Sequence, residues 1–177
     1  FDGHQAAAEA AEKKAAAIIV SKEVELPEHT ETTLIRVEDT RYALAFVSAA
    51  WFDHPAKKLT TIGITGTKGK TTTTYLVKSI LVGLVGTIEI IIGDTHIHAV
   101  NTTPESYLLQ EYFAKMVESG CDTVVMEVSS QALMLHRTQG FVFDFGIFTN
   151  LEPDHIGPNE HGSFEEYAHC KSLLFQQ

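Results

Sequence analysis

Two hydrophobic rhythms run along the chain, and the change from one to the other divides it. From Gln5 to Lys14 the residues are Ala-rich and helix-favouring, and Ala15-Ala16-Ala17-Ile18-Ile19-Val20 then reads as a short buried strand. Glu23 to Thr33 is polar and contains Pro27, which predicts a loop. Leu34-Ile35-Arg36-Val37 reads as another short strand, followed by a helix from about Thr40 to Phe52. His54-Pro55-Ala56 breaks this pattern. Residues 1–57 are therefore expected to be part of one domain with its linker, and residues 58–177 part of a second.

From Leu59 onward the pattern is that of a parallel α/β unit: strand Thr60 to Ile64, a Gly/Thr/Lys loop, then a helix from Lys70 to about Leu81. Thr123 to Val128 and Phe143 to Thr149 read as further buried strands, with helices near Pro104 to Ser119 and Ser163 to Phe175. Thr103 before Pro104 suits an N-cap with Pro at N1, and Ser163 with Glu166 has capping-box spacing. The helix ending at Leu81 meets Val82-Gly83-Leu84-Val85-Gly86 with almost no turn, whereas such connections take about 2–6 residues. A short loop is expected to have been omitted at the Leu81-Val82 join.

Composition narrows the classes. The 177 residues are 44% hydrophobic, enough for one sizeable core and a smaller second unit. A net charge of −10 argues against sequence-independent nucleic-acid binding, since no excess of Lys and Arg exists to displace counterions. Cys121 and Cys170 lack C-x-x-C spacing, and a lone pair is not the framework of a small secreted domain, so a reducing compartment is expected. No apolar run reaches the roughly 18 residues of a membrane span, nor does a signal peptide stand out. A soluble cytoplasmic monomer without membrane insertion is the expectation. The chain opens Phe1-Asp2-Gly3-His4, which is not expected to be the natural start.

The candidate chemistry begins at Gly63-Ile64-Thr65-Gly66-Thr67-Lys68-Gly69-Lys70-Thr71-Thr72. Backbone N–H groups of such a loop can wrap phosphate oxygens at a helix N-terminus, Lys70 can reach the outer phosphates and Thr71 can ligate Mg²⁺. Strict G-x-x-x-x-G-K-[ST] spacing would need Gly at Ile64, so the loop departs from the general P-loop while keeping Gly69-Lys70-Thr71. An ordinary Gly-rich turn is the plainer alternative. Glu127 sits near the C-terminal end of an apolar strand pattern, where open α/β sheets place their ligand crevice, and a Mg²⁺ ion bridging to phosphates is its natural partner. A salt-bridged Glu at a strand end is the alternative. His155 follows another strand and could face the same crevice, or it could be a loop His bonded to Asp154. Lys171 lies at the centre of a helical stripe formed by Phe164, Tyr167, Ala168, Leu174 and Phe175. Burial there favours the neutral amine, which can react with CO₂ to give a carbamate, while a snorkelling side chain remains open. His136, His161 and His169 carry no assignment, and His96 and His98 fall on an exposed hairpin strand without one.

Gly66-Thr67-Lys68-Gly69-Lys70-Thr71 resembles the G-T-x-G-K-[ST] loop of Mur ligases and folylpolyglutamate synthetases. Gly86-Thr87-Ile88, Asn101-Thr102-Thr103-Pro104-Glu105, Val125-Met126-Glu127-Val128-Ser129-Ser130, Phe148-Thr149-Asn150-Leu151 with Asp154-His155, and Glu165 to Phe175 follow in the order of the Mur ligase family's MurE branch. The resemblance covers most of Leu59 to Phe175, and the opening residues look like the later half of that branch's UDP-binding domain. It implies an α/β central domain, a parallel P-loop sheet with flanking helices, preceded by part of a small α/β domain, with a third domain to follow. It further implies an ATP-dependent amide ligase of peptidoglycan synthesis. Such an enzyme adds meso-diaminopimelate or L-lysine to UDP-MurNAc-L-Ala-D-Glu through an acyl phosphate, using ATP and two Mg²⁺ ions.

By the same resemblance Gly66 to Thr72 bind ATP, and Thr71, Glu127, His155 and a carbamylated Lys171 hold metal. Lys70, His155 and Lys171 would serve catalysis, and Asn101, Thr102, Thr103, Ser129 and Arg137 would bind the sugar–peptide. Structural readings stand beside these: Thr103 and Ser129 as helix caps, Arg137 as a solvated charge. Leu135 replaces a Gln found two residues before this Arg in some relatives, so that contact is not transferred. The rival readings are a related ligase acting on folate or another peptide, and a P-loop nucleotide switch. The N-K-x-D motif of GTPase switches is absent.

Overall fold

The computed structural model describes residues 2–78, 83–154, 156–158 and 160–176, which divide into two compact units, Phe1–Ala43 and Leu44–Gln177. In the first unit, a 3₁₀ turn at Gly3–Ala6 leads into helix α1 (Ala7–Glu12), then strand β1 (Ala17–Val20), a long loop, and strand β2 (Thr33–Arg36). The strands pair in parallel, Ala17 opposite Thr33 and Val20 opposite Arg36. Only Val20 of β1 is buried and β2 is exposed throughout, so the expected burial of the first strand is corrected: a two-stranded sheet leaves most of its surface open. The division between the units falls within helix α2 (Thr40–Trp51), ahead of the His54-Pro55-Ala56 break.

The second unit adds β3 (Thr60–Thr65), α3 (Lys70–Lys78), β4 (Gly83–Val85), β5 (Glu89–Ile92), β6 (Thr95–His98), α4 (Ser106–Glu118), β7 (Thr123–Glu127), α5 (Ser130–Met134), β8 (Phe145–Phe148) and α6 (Phe164–Ser172). Its strands form one six-stranded sheet in the order β6-β5-β4-β7-β3-β8. Strands β4, β7, β3 and β8 run parallel, and the β5–β6 hairpin is antiparallel. The Leu81-Val82 join lies outside the described residues. Strand β4, which the sequence pattern does not announce, is three fully buried residues between β5 and β7.

Side-chain alternation along β7 sets the layers. Val124 and Met126 pack with Leu109, Phe113 and Met116 of α4, whereas Val125 joins Ile64, Leu84 and the α3 residues Tyr75 and Val77 on the other face. Glu127 shares the parity of Val125, so its side chain emerges on the α3 side at the strand's end. All five β7 residues are buried, as expected for a central parallel strand. Strand β8 is different. It forms the sheet edge, with Phe145, Gly146 and Phe148 exposed, which corrects the buried strand expected over Phe143 to Thr149. No described helix is long and apolar enough to cross a membrane.

Candidate functional site

Strand β3 delivers the chain into the loop Gly66 to Gly69, and α3 begins at Lys70. Thr149 and Asn150, just after β8, brace this loop. Thr67 N donates to Asn150 O (3.0 Å), Lys68 N to Asn150 Oδ1 (2.9 Å), and Thr149 Oγ1 to Lys68 O (2.7 Å). Gly66 has φ +149°, and a Cβ there would lie 1.9 Å from Thr149 Oγ1, so the close approach requires glycine. Lys70 folds back on the loop, its Nζ donating to Gly66 O (2.9 Å) and Thr67 O (3.3 Å), and burial holds its pKa below the usual lysine range. Lys68 is exposed and pairs with Glu152, whose carboxylate raises its pKa. Thr72 is exposed on α3.

At the start of α3, Thr71 Oγ1 donates to Glu127 Oε2 (2.9 Å). Thr87 N donates to Glu127 Oε1 (2.9 Å), and Thr87 Oγ1 lies 3.0 Å from Oε2 and 3.1 Å from Thr102 Oγ1. Glu127, 1% exposed, is thus a buried carboxylate satisfied by two threonines. Its hydrogen-bond partners among the described residues are hydroxyl and backbone groups. Thr71 Oγ and the Glu127 carboxylate together form a hard-oxygen pair that fits Mg²⁺. Among the described residues there is no cluster of three or more His, Cys, Asp or Glu side chains able to hold a metal. His155 lies outside the described residues.

Beside this pair opens a cavity of about 440 Å³, within the range of ligand sites. It is lined by Asn101, Thr102, Thr103, Ser129 and Arg137, all five residues expected to bind the sugar–peptide, together with Lys70 of the phosphate loop. Thr103 is not the N-cap of α4; Glu105 occupies that position and its side chain makes no capping bond. The Thr103 hydroxyl instead donates to Glu127 O (2.9 Å) and accepts from Ser129 N (3.1 Å), tying the end of β7 to the pocket wall. Ser129 does cap α5, accepting from Ala132 N (3.1 Å), while also lining the cavity. Arg137 is not a solvated charge. Its side chain is 13% exposed, Nη1 donates to Thr103 O (3.2 Å), and Nη2 lies 2.6 Å from Glu105 Oε1.

Helix α6 opens with Ser163 Oγ accepting from Glu166 N (3.1 Å), as its spacing predicts. Its buried stripe is Tyr167, Cys170 and Lys171, with Leu174 after it, while Phe175 is exposed. Lys171 does not snorkel: it is 2% exposed, its Nζ donates to Gly66 O (2.8 Å), and the ammonium sits 4.5 Å over the Tyr167 ring. Burial, with the nearby Lys70 charge, lowers its pKa to about 8. Both lysines therefore converge on one carbonyl of the loop.

Two residues of the site have no role that their sequence surroundings suggest. Thr87 stands out only within Gly86-Thr87-Ile88, and its partner Glu127 is 40 positions away. His161 is 2% exposed, lines the cavity and places Nε2 2.9 Å from Ser130 Oγ. Its place just ahead of the Ser163 cap is the local signal.

Comparison with known proteins matches residues 64–177 to the Mur ligase middle domain. The chain is 47% identical to the UDP-N-acetylmuramoyl-L-alanyl-D-glutamate–2,6-diaminopimelate ligase of Clostridium perfringens, over 99% of the chain and 37% of that protein. It is also 47% identical to the ligase of the same name from Bacillus licheniformis, over 99% of the chain and 36% of that protein. The chain thus spans little more than a third of these relatives. A solved structure of a ligase with this name superposes with a TM-score of 0.74 at 25% identity, covering 96% of the chain and 34% of its own. MurF from Acinetobacter baumannii, at 22% identity and TM-score 0.54, shares the fold.

Proposed function

This chain belongs to the Mur ligase family, and from that premise we propose that it serves an ATP-dependent ligase joining 2,6-diaminopimelate to UDP-MurNAc-L-Ala-D-Glu. The observation that carries the reading is the shared cavity, in which Asn101 to Thr103, Ser129 and Arg137 meet Lys70 beside the Thr71–Glu127 pair. Polar groups suited to a sugar–peptide thus adjoin a loop suited to phosphates. The relatives' names supply diaminopimelate as the amine, in preference to L-lysine.

In this reaction the D-glutamyl carboxylate attacks the γ-phosphorus of ATP and ADP leaves, giving an acyl phosphate. The diaminopimelate amine then attacks the acyl carbon, phosphate departs with the C–O bond electrons, and the amine proton passes to solvent or phosphate. Both steps bring anions together, so positioned cations and N–H donors supply most of the catalysis. Lys70, released from Gly66 O and Thr67 O, neutralises charge on the outer phosphates, and the backbone N–H groups of Gly66 to Thr72 cradle the rest. Lys68 contributes by reorienting from Glu152. Thr71 and Glu127 would hold one Mg²⁺, and His155 with Lys171 as a carbamate a second; bound there, such ions would supply charge neutralisation at the transferring phosphoryl group. Arg137 orients a carboxylate or phosphate of the sugar–peptide by exchanging the half-exposed Glu105 for it. A UDP-linked substrate and ATP fit a reaction in the cytoplasm.

The test uses a chain of the relatives' full length carrying this sequence. Phosphate release should require ATP, Mg²⁺, UDP-MurNAc-L-Ala-D-Glu and diaminopimelate together, with L-lysine a poor substitute. Release that ignores the sugar–peptide would reject the ligase in favour of a nucleotide switch.

A further inference from the structure

The substrate cavity and the phosphate loop are joined through the protein interior by a second route that does not involve Glu127. It starts at Ser130, the cavity residue at the head of α5, whose Oγ lies 2.9 Å from His161 Nε2. The His161 ring packs against the Tyr167 ring at 5.3 Å between centroids, tilted by 53°. Tyr167 is fully buried, and its hydroxyl donates to Thr67 Oγ1 (3.0 Å) in the phosphate loop. Thr67 is itself held at the far side, since Glu152 N donates to the same oxygen (3.0 Å). The path therefore runs from cavity wall to phosphate loop through four side chains, with hydrogen bonds at both ends and an aromatic contact between.

Burying a His, a Tyr hydroxyl and a Ser hydroxyl costs free energy unless each is partnered, and here Ser130 and His161 partner each other while the Tyr167 hydroxyl partners Thr67. An apolar trio of similar volume would fill the same space, so packing alone does not account for polar residues at all three positions. What the polar groups add is direction. The Ser130–His161 bond fixes the ring that Tyr167 leans on, and the Tyr167 hydroxyl fixes the side chain of the loop residue next to Gly66.

We infer that His161 and Tyr167 are positioning residues that couple the cavity at Ser130 to the phosphate loop at Thr67, so that a change at one end is felt as nucleotide affinity at the other. The inference rests on the ligase reading for the identity of the two ligands. Its geometry is independent of that reading.

The full-length enzyme is compared with Tyr167→Phe, Ser130→Ala and the double variant. Tyr167→Phe removes one neutral hydrogen bond and keeps the ring, so it should raise the KM for ATP about fivefold while leaving the KM for UDP-MurNAc-L-Ala-D-Glu within about twofold. Ser130→Ala, made in the cavity, should raise the KM for ATP about threefold as well as weakening the sugar–peptide. In the Tyr167→Phe background the same change should raise the KM for ATP no further, because the route is already cut. The coupling is overturned if Ser130→Ala leaves ATP unaffected, or if the two effects multiply. It is also overturned if every KM rises together with a fall in Tm, which is the mark of mere structural damage. His161→Gln keeps a partner for Ser130 but loses the ring, and should resemble Tyr167→Phe. Calorimetric affinities for a non-hydrolysable ATP analogue decide the same comparison without turnover, so a protein that joins no amino acid would sink the ligase reading while the coupling stands or falls on those affinities alone.

Discussion

Replacing Lys171 by Met tests whether a buried amine sits against the phosphate loop. Burial and the neighbouring Lys70 lower the Lys171 pKa from 10.5 to about 8, whereas the unfolded chain keeps the ordinary value. Below pH 8 both states hold the proton and the difference between them is constant. Between about 8 and 10.5 the folded state has released its proton while the unfolded state retains it, so stability rises with pH. Integrating over that window, the wild-type chain should gain about 2 kcal/mol relative to Lys171→Met between pH ~7 and ~9.5. Met fills the space of the lysine stem and does not titrate, so groups whose titration is independent of Lys171 cancel in the comparison. Urea midpoints and slopes followed by circular dichroism, in CO₂-free buffer to keep the amine unmodified, supply the two stabilities at each pH. A difference between the two proteins that stays constant across this range would refute the buried-amine argument, and with it the physical basis for a reactive neutral lysine at this position.

Three other substitutions probe neighbouring contacts. Gly66→Ala puts a Cβ 1.9 Å from Thr149 Oγ1 on a backbone with φ +149°; strain of about 1–3 kcal/mol should lower ATP affinity about tenfold or more by calorimetry, and a change under twofold would contradict it. If Glu127 holds Mg²⁺ as proposed, the ion should raise the nucleotide affinity of the wild type and Glu127→Gln should abolish that gain, measured by titration with and without the ion; an undiminished Mg²⁺ effect in the variant would remove Glu127 from the proposed metal site. Thr103→Val strips a hydroxyl that bonds both Glu127 O and Ser129 N and should cost about 1–3 kcal/mol in urea unfolding, whereas an unchanged midpoint would show that link to be dispensable.

What can be read from the residues is what local periodicity records. The Thr60–Thr65 strand, the glycine loop and the helix from Lys70 are adjacent in sequence, so their hydrophobic rhythm and turn chemistry foretell them nearly to the residue. Buried β7 is equally plain, because a central parallel strand is apolar on both faces. Strand β8 misleads for the converse reason: Phe145 and Phe148 are as apolar as core residues, yet the strand lies at the sheet edge. Its exposure depends on strand order, which no local pattern encodes.

The same distinction runs through the site. Glu127 and Lys171 are conspicuous because each is a charge in an apolar pattern, and both prove buried against the loop. Thr87 and His161 are ordinary polar residues in ordinary loops, and the side-chain bonds that matter reach far along the chain: Thr87 to Glu127, and His161 to Ser130. The cap expected at Thr103 fails although a cap preceding proline is a common local solution, because the buried carbonyl of Glu127 and amide of Ser129 compete for its hydroxyl. A helix start facing solvent can recruit water, whereas buried backbone groups at a strand end cannot, so the long-range bonds prevail. The residues hardest to foresee are therefore those whose partners come from another element: Thr87 reaching Glu127, Thr103 reaching Ser129, and Tyr167 reaching Thr67. They are the same residues that hold cavity, carboxylate and loop in register.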